Sequence, residues 1–242
     1  MSSVRKIRWF LEHAPIELFL RTAKEFDTRI RKLTNNRIQV ETYTAKEYMD
    51  AFNKSYVETD PLLLLQEGDI EMTQTQIANV GYWYCPDFYA LEMPYLFKDH
   101  DHATRVLDGN IGKFLLDSIE TNAKTSKGLA FTYSGGYRVF ASSKKISTAE
   151  DLKGLACLSD LSPVRIDTAK ALGLKVIPYR PFNTNDNGSA LEDKKVMLDA
   201  VDARETTLPR YEADAYNAGH NYISSTNHNM FLTSIMINKQ FF

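Results

Sequence analysis

The spacing of apolar residues changes period repeatedly along the chain. KIRWFLE (Lys6–Glu12) reads as a first strand. In IELFLRTAKEFDTRIRKL the residues Phe19, Ala23, Phe26, Ile30 and Leu33 fall at helical intervals. After the turn at Asn35-Asn36-Arg37, IQVETY (Ile38–Tyr43) alternates as a half-buried strand. TDPLLLLQEG opens a helix with Asp60 at the N-cap, Pro61 in the first helical position and Gly68 at the end. DIEMTQT is the next strand. The aromatic stretch Gly81–Phe97 holds two prolines and reads as a loop with a short turn or strand. Helical stretches follow around Asp101–Leu107 and Ile111–Thr121. The order β-α-β-α-β-α predicts a mostly parallel sheet with helical crossovers.

The same grammar restarts beyond Lys127. GLAFTYSGGYRVFASS supplies two strands separated at Gly135-Gly136. TAEDLKG is a short helix with Thr148 as cap and Asp151 placed to reach back. LACLS is a strand, and SPVRIDTAKALG a helix with Ser162 at the N-cap, Pro163 next and Gly173 at the C-terminal end. LKVIPY reads as a strand, GSALEDKKV as a helix, LDAVDAR as a strand and LPRYEADAYNAG as a helix closed by Gly219. NYISST and FLTSIMIN are two more strands. Two α/β units in succession predict two lobes. Open α/β sheets bind ligands beyond the carboxyl ends of their strands, so a cleft between lobes is the expected site.

Composition narrows the classes. The chain has 242 residues, 43% hydrophobic and 25% charged, which is material for a sizeable core in one large or two small domains. A net charge of −2 lacks the basic excess of a nucleic-acid binder. The two cysteines, Cys85 and Cys157, show no CxxC and no Cys/His metal spacing. Cys157 reads as a core residue, and the spacing neither requires nor forbids a disulfide. No stretch approaches the roughly 18 apolar residues of a membrane helix. The N-terminus has no long apolar run, so the chain is either cytosolic or stripped of its export signal. G-x-S-x-G, P-loop, G-x-G-x-x-G and H-E-x-x-H motifs are absent, and His220 and His228 lack carboxylate or thiolate company at ligand spacing. No catalysis, cofactor or metal is expected, and His228 is expected to be structural.

By the second unit the sequence resembles a known family. GYRVFASSKKISTAEDLKGL (Gly136–Leu155) is similar to a segment of the periplasmic solute-binding proteins of TRAP transporters, the DctP type. FYALEMPYLFKDHDHATRVLDGNIGKFLL (Phe88–Leu116), SPVRIDTAKALG, VDARE (Val201–Glu205) and STNHNMFLTSIMINKQFF (Ser225–Phe242) match in the same order. The resemblance implies a two-lobed periplasmic-binding-protein-like α/β fold, with a mostly parallel sheet in each lobe and a central ligand cleft. It implies one lobe over residues 1–127, with 208–242 returning to it, and a second over 128–207. Members of the family continue beyond the equivalent of Phe242 with helices that pack on the second lobe. It also implies closure over a small organic acid, a TRAP permease as partner and a periplasmic location, with no nucleic acid and no catalysis. A stand-alone sensor or scavenging module on the same fold, or an enzyme without a recognisable motif, are the alternatives.

A ligand carboxylate in a closed, dry cleft needs a fixed cation, and the guanidinium fork matches it in shape. The resemblance places Arg138 in that role; without it, a solvated strand arginine is the ordinary reading. The family's second arginine falls on Leu158. Either Arg165 or Arg180 replaces the lost cation, or the ligand carries less charge and more apolar surface. The second explanation is preferred, with Leu158 as an apolar wall of the cleft if not simply a core leucine, and Arg165 as a solvated helix-start residue. Thr206 stands where the family often has a ligand-touching asparagine. Glu12 and His13 at the end of the first strand, Gln74 with Thr75 and Gln76 after the third, the aromatics Tyr82, Trp83 and Tyr84, and Phe182 are further candidates.

Overall fold

A computed structural model describes residues 4–11, 16–55, 60–159, 162–178, 199–211, 216 and 219–241. Strand β1 (Arg5–Leu11) leads into helix α1 (Ile16–Leu33), strand β2 (Ile38–Thr44) and helix α2 (Ala45–Phe52). Helix α3 (Pro61–Glu67), strand β3 (Met72–Gln76) and helix α4 (Ile77–Trp83) follow. A 3-10 turn (Pro86–Glu92) precedes α5 (His100–Leu107) and α6 (Asn110–Asn122). Strand β4 (Ser126–Ser142), β5 (Ala156–Ser159), helix α7 (Pro163–Ala171), β6 (Lys175–Pro178), β7 (Ala203–Thr207), β8 (Tyr222–Ser224) and β9 (Met230–Asn238) follow, with single turns at Ala149–Leu152, Leu208–Arg210 and Lys239–Phe241.

Several boundaries have a visible chemical cause. Asp60 accepts hydrogen bonds from the backbone N–H of Leu62 and Leu63, and Gly68 closes α3 in the left-handed conformation. Thr148 and Asp151 form a reciprocal capping box on a 3-10 turn. The aromatic stretch is more ordered than expected: α4 and the 3-10 turn occupy it. Helix α2 follows a Thr44–Glu47 capping box that the periodicity reading passed over. Strand β7 begins at Ala203, five residues after the expected start at Leu198. The stretch of the expected GSALEDKKV helix lies outside the described residues, as does most of LPRYEADAYNAG beyond the helical turn Leu208–Arg210.

The strands run β2-β1-β3-β9-β4-β7-β5-β6, with β8 pairing β4 off this path. Pairs β1–β2, β1–β3, β5–β6 and β5–β7 are parallel, whereas every pair made by β4 or β9 is antiparallel. The architecture is therefore two-lobed α/β with a mixed sheet, and the antiparallel strands sit at its centre. Strand β4 is a single 17-residue strand and not two. Its first part pairs with β9 and its last part, Arg138–Ser142, with β7. A register shift between Tyr133 and Tyr137 marks the crossing, where Gly135 and Gly136 adopt φ of 93° and 78°. A Cβ on Gly135 would lie 3.0 Å from Pro209 Cδ and 3.2 Å from Thr207 Oγ1, so both backbone angle and space require glycine there.

Burial divides along the same line. One large apolar core, including Phe10, Leu65, Phe88, Leu107, Leu232 and Met236, lies on one face of the first half of the sheet. Trp9, Phe19, Met72 and Ile237 form a second core on the other face, next to α1. The second half has a smaller cluster around Phe140, Cys157, Ala169 and Ala203. Both cysteines are buried and free. Burial, followed by the nearby Glu205 charge, pushes the Cys157 thiol up to about 12.

Candidate functional site

Just past the glycine crossing, β4 carries Arg138 into the interior, where the residue is only 5% exposed. Its Nε donates to Asn229 Oδ1 at 3.1 Å, and its guanidinium lies 4.2 Å from the centroid of the Phe231 ring. Asn229 is held in turn: its backbone carbonyl accepts from the Arg138 N–H at 2.7 Å, and its Nδ2 donates to the Glu92 carbonyl at 2.8 Å. The solvated alternative for Arg138 is thereby excluded. The nearest guanidinium nitrogen stands 3.7 Å from Glu205 Oε2.

Glu205 is the hub of this region, with a side chain 10% exposed. Arg165 Nε donates to Glu205 Oε2 at 2.5 Å, and the terminal nitrogen of the same arginine also reaches that oxygen. His228 Nε2 lies 2.6 Å from Glu205 Oε1; a carboxylate only accepts, so Nε2 is the donor. The His228 ring stacks on Phe140 at 5.1 Å with an 11° interplanar angle, and Thr226 Oγ1 sits 2.5 Å from Nδ1. Burial alone would raise the Glu205 carboxyl, but the Arg165 and Arg138 guanidiniums and the His228 bond outweigh it and hold the group well below the usual carboxylate range.

Arg165 corrects the sequence reading. It is 6% exposed and points inward, not into solvent. Helix α7 fixes its origin: Ser162 caps the helix, accepting from the Arg165 N–H at 3.4 Å, and its hydroxyl donates to Glu92 Oε2. The 3-10 turn ending at Glu92, the start of α7 and strand β7 thus meet around two guanidiniums.

The strand register separates residues that the sequence had grouped. Directly paired residues share a sheet face. Arg138 pairs with Thr207 and Phe140 with Glu205, so these four lie on the α7 side. Leu158 pairs with Arg204, Ala141 also pairs with Arg204, and Val139 pairs with Thr206. Leu158 and Thr206 therefore occupy the opposite face from Arg138. Leu158 is 4% exposed and packs with Val201, Ala156 and Ile177. Thr206 is 3% exposed, and its hydroxyl has no partner among the described residues.

In the first half, Gln74 is 2% exposed; its Nε2 donates to Thr132 Oγ1 at 2.7 Å and Thr233 Oγ1 at 3.0 Å. Trp83 and Tyr84 pack against the large core, while Tyr82 is exposed. Glu12, His13, Phe182 and Arg180 lie outside the described residues. Among the described residues no group of three or more His, Cys, Asp and Glu side chains is placed to hold a metal ion, and no helix is long and apolar enough to cross a membrane. Glu205, Asn229, Phe231 and Glu92 carry the site's geometry without having been singled out in the sequence. A glutamate in a strand that pairs with the Arg138 strand is the signal that would have found Glu205, and it needs the pairing register.

The family model described as bacterial extracellular solute-binding protein, family 7 (DctP), matches residues 12–242. The chain is 26% identical over 219 residues to the C4-dicarboxylate-binding periplasmic protein DctP of Rhodobacter capsulatus, covering 90% of this chain and 60% of that one. It is 32% identical over 154 residues to the 2,3-diketo-L-gulonate-binding periplasmic protein YiaO of Escherichia coli K12, covering 64% and 44%. The solved sugar acid binding protein DctPAm of Advenella mimigardefordensis, in complex with galactonate, superposes with a TM-score of 0.79 at 23% identity, covering 99% of this chain and 72% of that one. The chain spans between 44% and 60% of the length of the curated relatives it first matches.

Proposed function

The chain belongs to the DctP family of bacterial extracellular solute-binding proteins, and on that premise we propose that it captures a small organic acid in the periplasm, without converting it, for a TRAP-type membrane permease. The division between the lobes lies at the β4 crossing, Gly135-Gly136, and not at residue 127, because 128–133 pairs with β9 in the first half while β8 pairs with the second part of β4. The guest sits between the two lobes. Arg138 is the observation that carries this reading: a guanidinium held rigid in the interior, next to the strand crossing, by Asn229, Phe231 and Glu205. Such a group gives a carboxylate two parallel charge-assisted bonds at little ordering cost, because its rotamer is already fixed. Arg165 acts through Glu205 as a positioning residue. Gln74 is the first-lobe member placed against the guest.

Thermal unfolding with a panel of organic acids and neutral polyols tests the proposal. A cognate acid at 100 times its Kd stabilises by about 2.7 kcal/mol, and the matched neutral polyol gives no shift. In Arg138→Ala the acid response disappears while the ligand-free protein still melts cooperatively. A panel in which no acid stabilises, or an Arg138→Ala protein with the full response, refutes the proposal.

A further inference from the structure

Helix α6 carries two apolar stripes. Gly112, Leu115 and Ile119 recur at helical spacing and are buried, the last two in the large first-half core. A Cβ on Gly112 would fall 1.8 Å from the Leu107 carbonyl oxygen, so α6 is seated on the end of α5 at a distance only glycine allows. Ile111 and Phe114, one turn apart, make the second stripe. They are 58% and 62% exposed. Both border a groove of about 450 Å3 that α5, α6 and residues 87–97 enclose, lined also by Leu91, Leu96, Phe97 and Val106. Leu96 is itself 41% exposed. Charges of both signs stand at the rim: Asp87 at the groove, and Lys113 and Asp117 on α6, paired at 3.2 Å.

We infer that this face binds a second copy of the chain: α6 packs antiparallel on α6 across a two-fold axis, and Phe114 of each protomer enters the groove of its partner. The inference goes beyond acid capture and does not depend on it. Three observations point to this occupant. First, knob and groove lie on one patch, which a self-complementary two-fold contact requires and a contact with an unlike partner does not. Second, the charges fit the same symmetry. Antiparallel helices related by an axis near Leu115 set Lys113 of one protomer opposite Asp117 of its partner, and the reciprocal pair forms across the axis. Within one copy this exposed pair contributes little; beside an apolar contact the same charges select partner and register. Third, the area suffices for a reversible dimer. A covered aromatic removes about 150–250 Å2, so Phe114 leaves roughly 100 Å2 uncovered. With Ile111 and Leu96 the uncovered apolar surface is on the order of 300 Å2, the size of the largest patch on an ordinary monomer. The two-fold doubles it, and a polar rim in the usual proportion brings the total to roughly 1,000 Å2, the lower edge of specific interfaces.

Sedimentation velocity of the full chain without ligand, from about 2 μM to about 200 μM, reads the inference. The weight-average mass rises from that of one chain toward that of two and goes no further. Phe114→Asp, at an exposed position, keeps the melting temperature and weakens association by about thirtyfold or more. Lys113→Glu and Asp117→Lys each weaken it by about three- to tenfold, because each sets like charges opposite one another. An equimolar mixture of these two variants, in which every opposed pair has unlike signs, associates as the wild type does. So does the double variant Lys113→Glu/Asp117→Lys. A chain that stays monomeric at the highest concentration overturns the inference and leaves the groove to a partner of another kind. Growth beyond two copies overturns it as well, because a two-fold contact closes. A Phe114→Asp protein that associates like the wild type, or mixed charge variants that associate no better than either alone, places the contact elsewhere and has the same effect. None of these results bears on acid capture.

Discussion

The two ends of β4 live in different chemistry. From Ser126 to Tyr133 the strand pairs with β9 beside a broad apolar core that buries Phe10, Leu65, Leu232 and Met236. From Arg138 to Ser142 it pairs with β7 beside a small apolar cluster and the Arg138–Glu205–Arg165–His228 group. Charge is present in the first half too, but differently used. Arg8 pairs with Glu71 at 3.0 Å and 2.6 Å at half-buried positions on the sheet, a two-point clamp between neighbouring chain segments. The first half is held mainly by area removed from water, which tolerates small shifts. The second is held by directed bonds to one carboxylate, which do not. Order in the second half is thus obtained from directed polar bonds where apolar burial is scarce.

The sharpest way to break this contrast is Glu205→Gln. Removing the anion leaves two buried guanidiniums facing a neutral amide, and such losses cost about 3–5 kcal/mol. Urea unfolding measures it; a cost near zero would mean that the second half is not held by this charge group. Leu65→Ala, in the fully buried first-half core, is expected to cost about 2–5 kcal/mol, and that cost should not change between low and high salt. A salt-dependent cost for Leu65→Ala would erase the distinction between the halves.

The smallest effect is a pH signature. The folded Glu205 carboxyl lies below its ordinary value of 4.5. Its contribution to stability is therefore full above that value and is lost as pH falls toward the folded one. The stability difference between wild type and Glu205→Gln should stay flat from about pH 7 to pH 5 and shrink as the solution is acidified further, at a rate of up to about 1.4 kcal/mol per pH unit. A difference that stays constant down to pH 3 would show that the two proteins bind protons alike in this range.

Local chemistry was legible in the sequence wherever it is settled within a few residues. The Asp60–Pro61–Gly68 and Ser162–Pro163 signals set α3 and α7, and the Thr148–Asp151 box formed as expected. The ordered motifs from Phe88 to Phe242 also carried the family, and with it the two-lobed fold. What failed was non-local. Two adjacent glycines between apolar runs read as a strand break, yet β9 and β7 on either side keep β4 continuous through them. Arg165 in a first helical turn reads as solvated, and only the arrival of Glu205 from β7 draws it inward. Leu158 and Arg138 looked like neighbours around one ligand because a sequence has no faces; the pairing of both strands with β7 assigns them to opposite sides.

Because β4 runs through both halves of the sheet, neither half possesses a complete set of strands of its own. A cut between Gly135 and Gly136 would give two fragments, each ending in a severed strand and each missing the covalent template that aligned its partner. The fragments would display bare backbone donors and acceptors along their broken margins. Coexpressed pieces divided there should clump or recombine with each other before either behaves as a free-standing module.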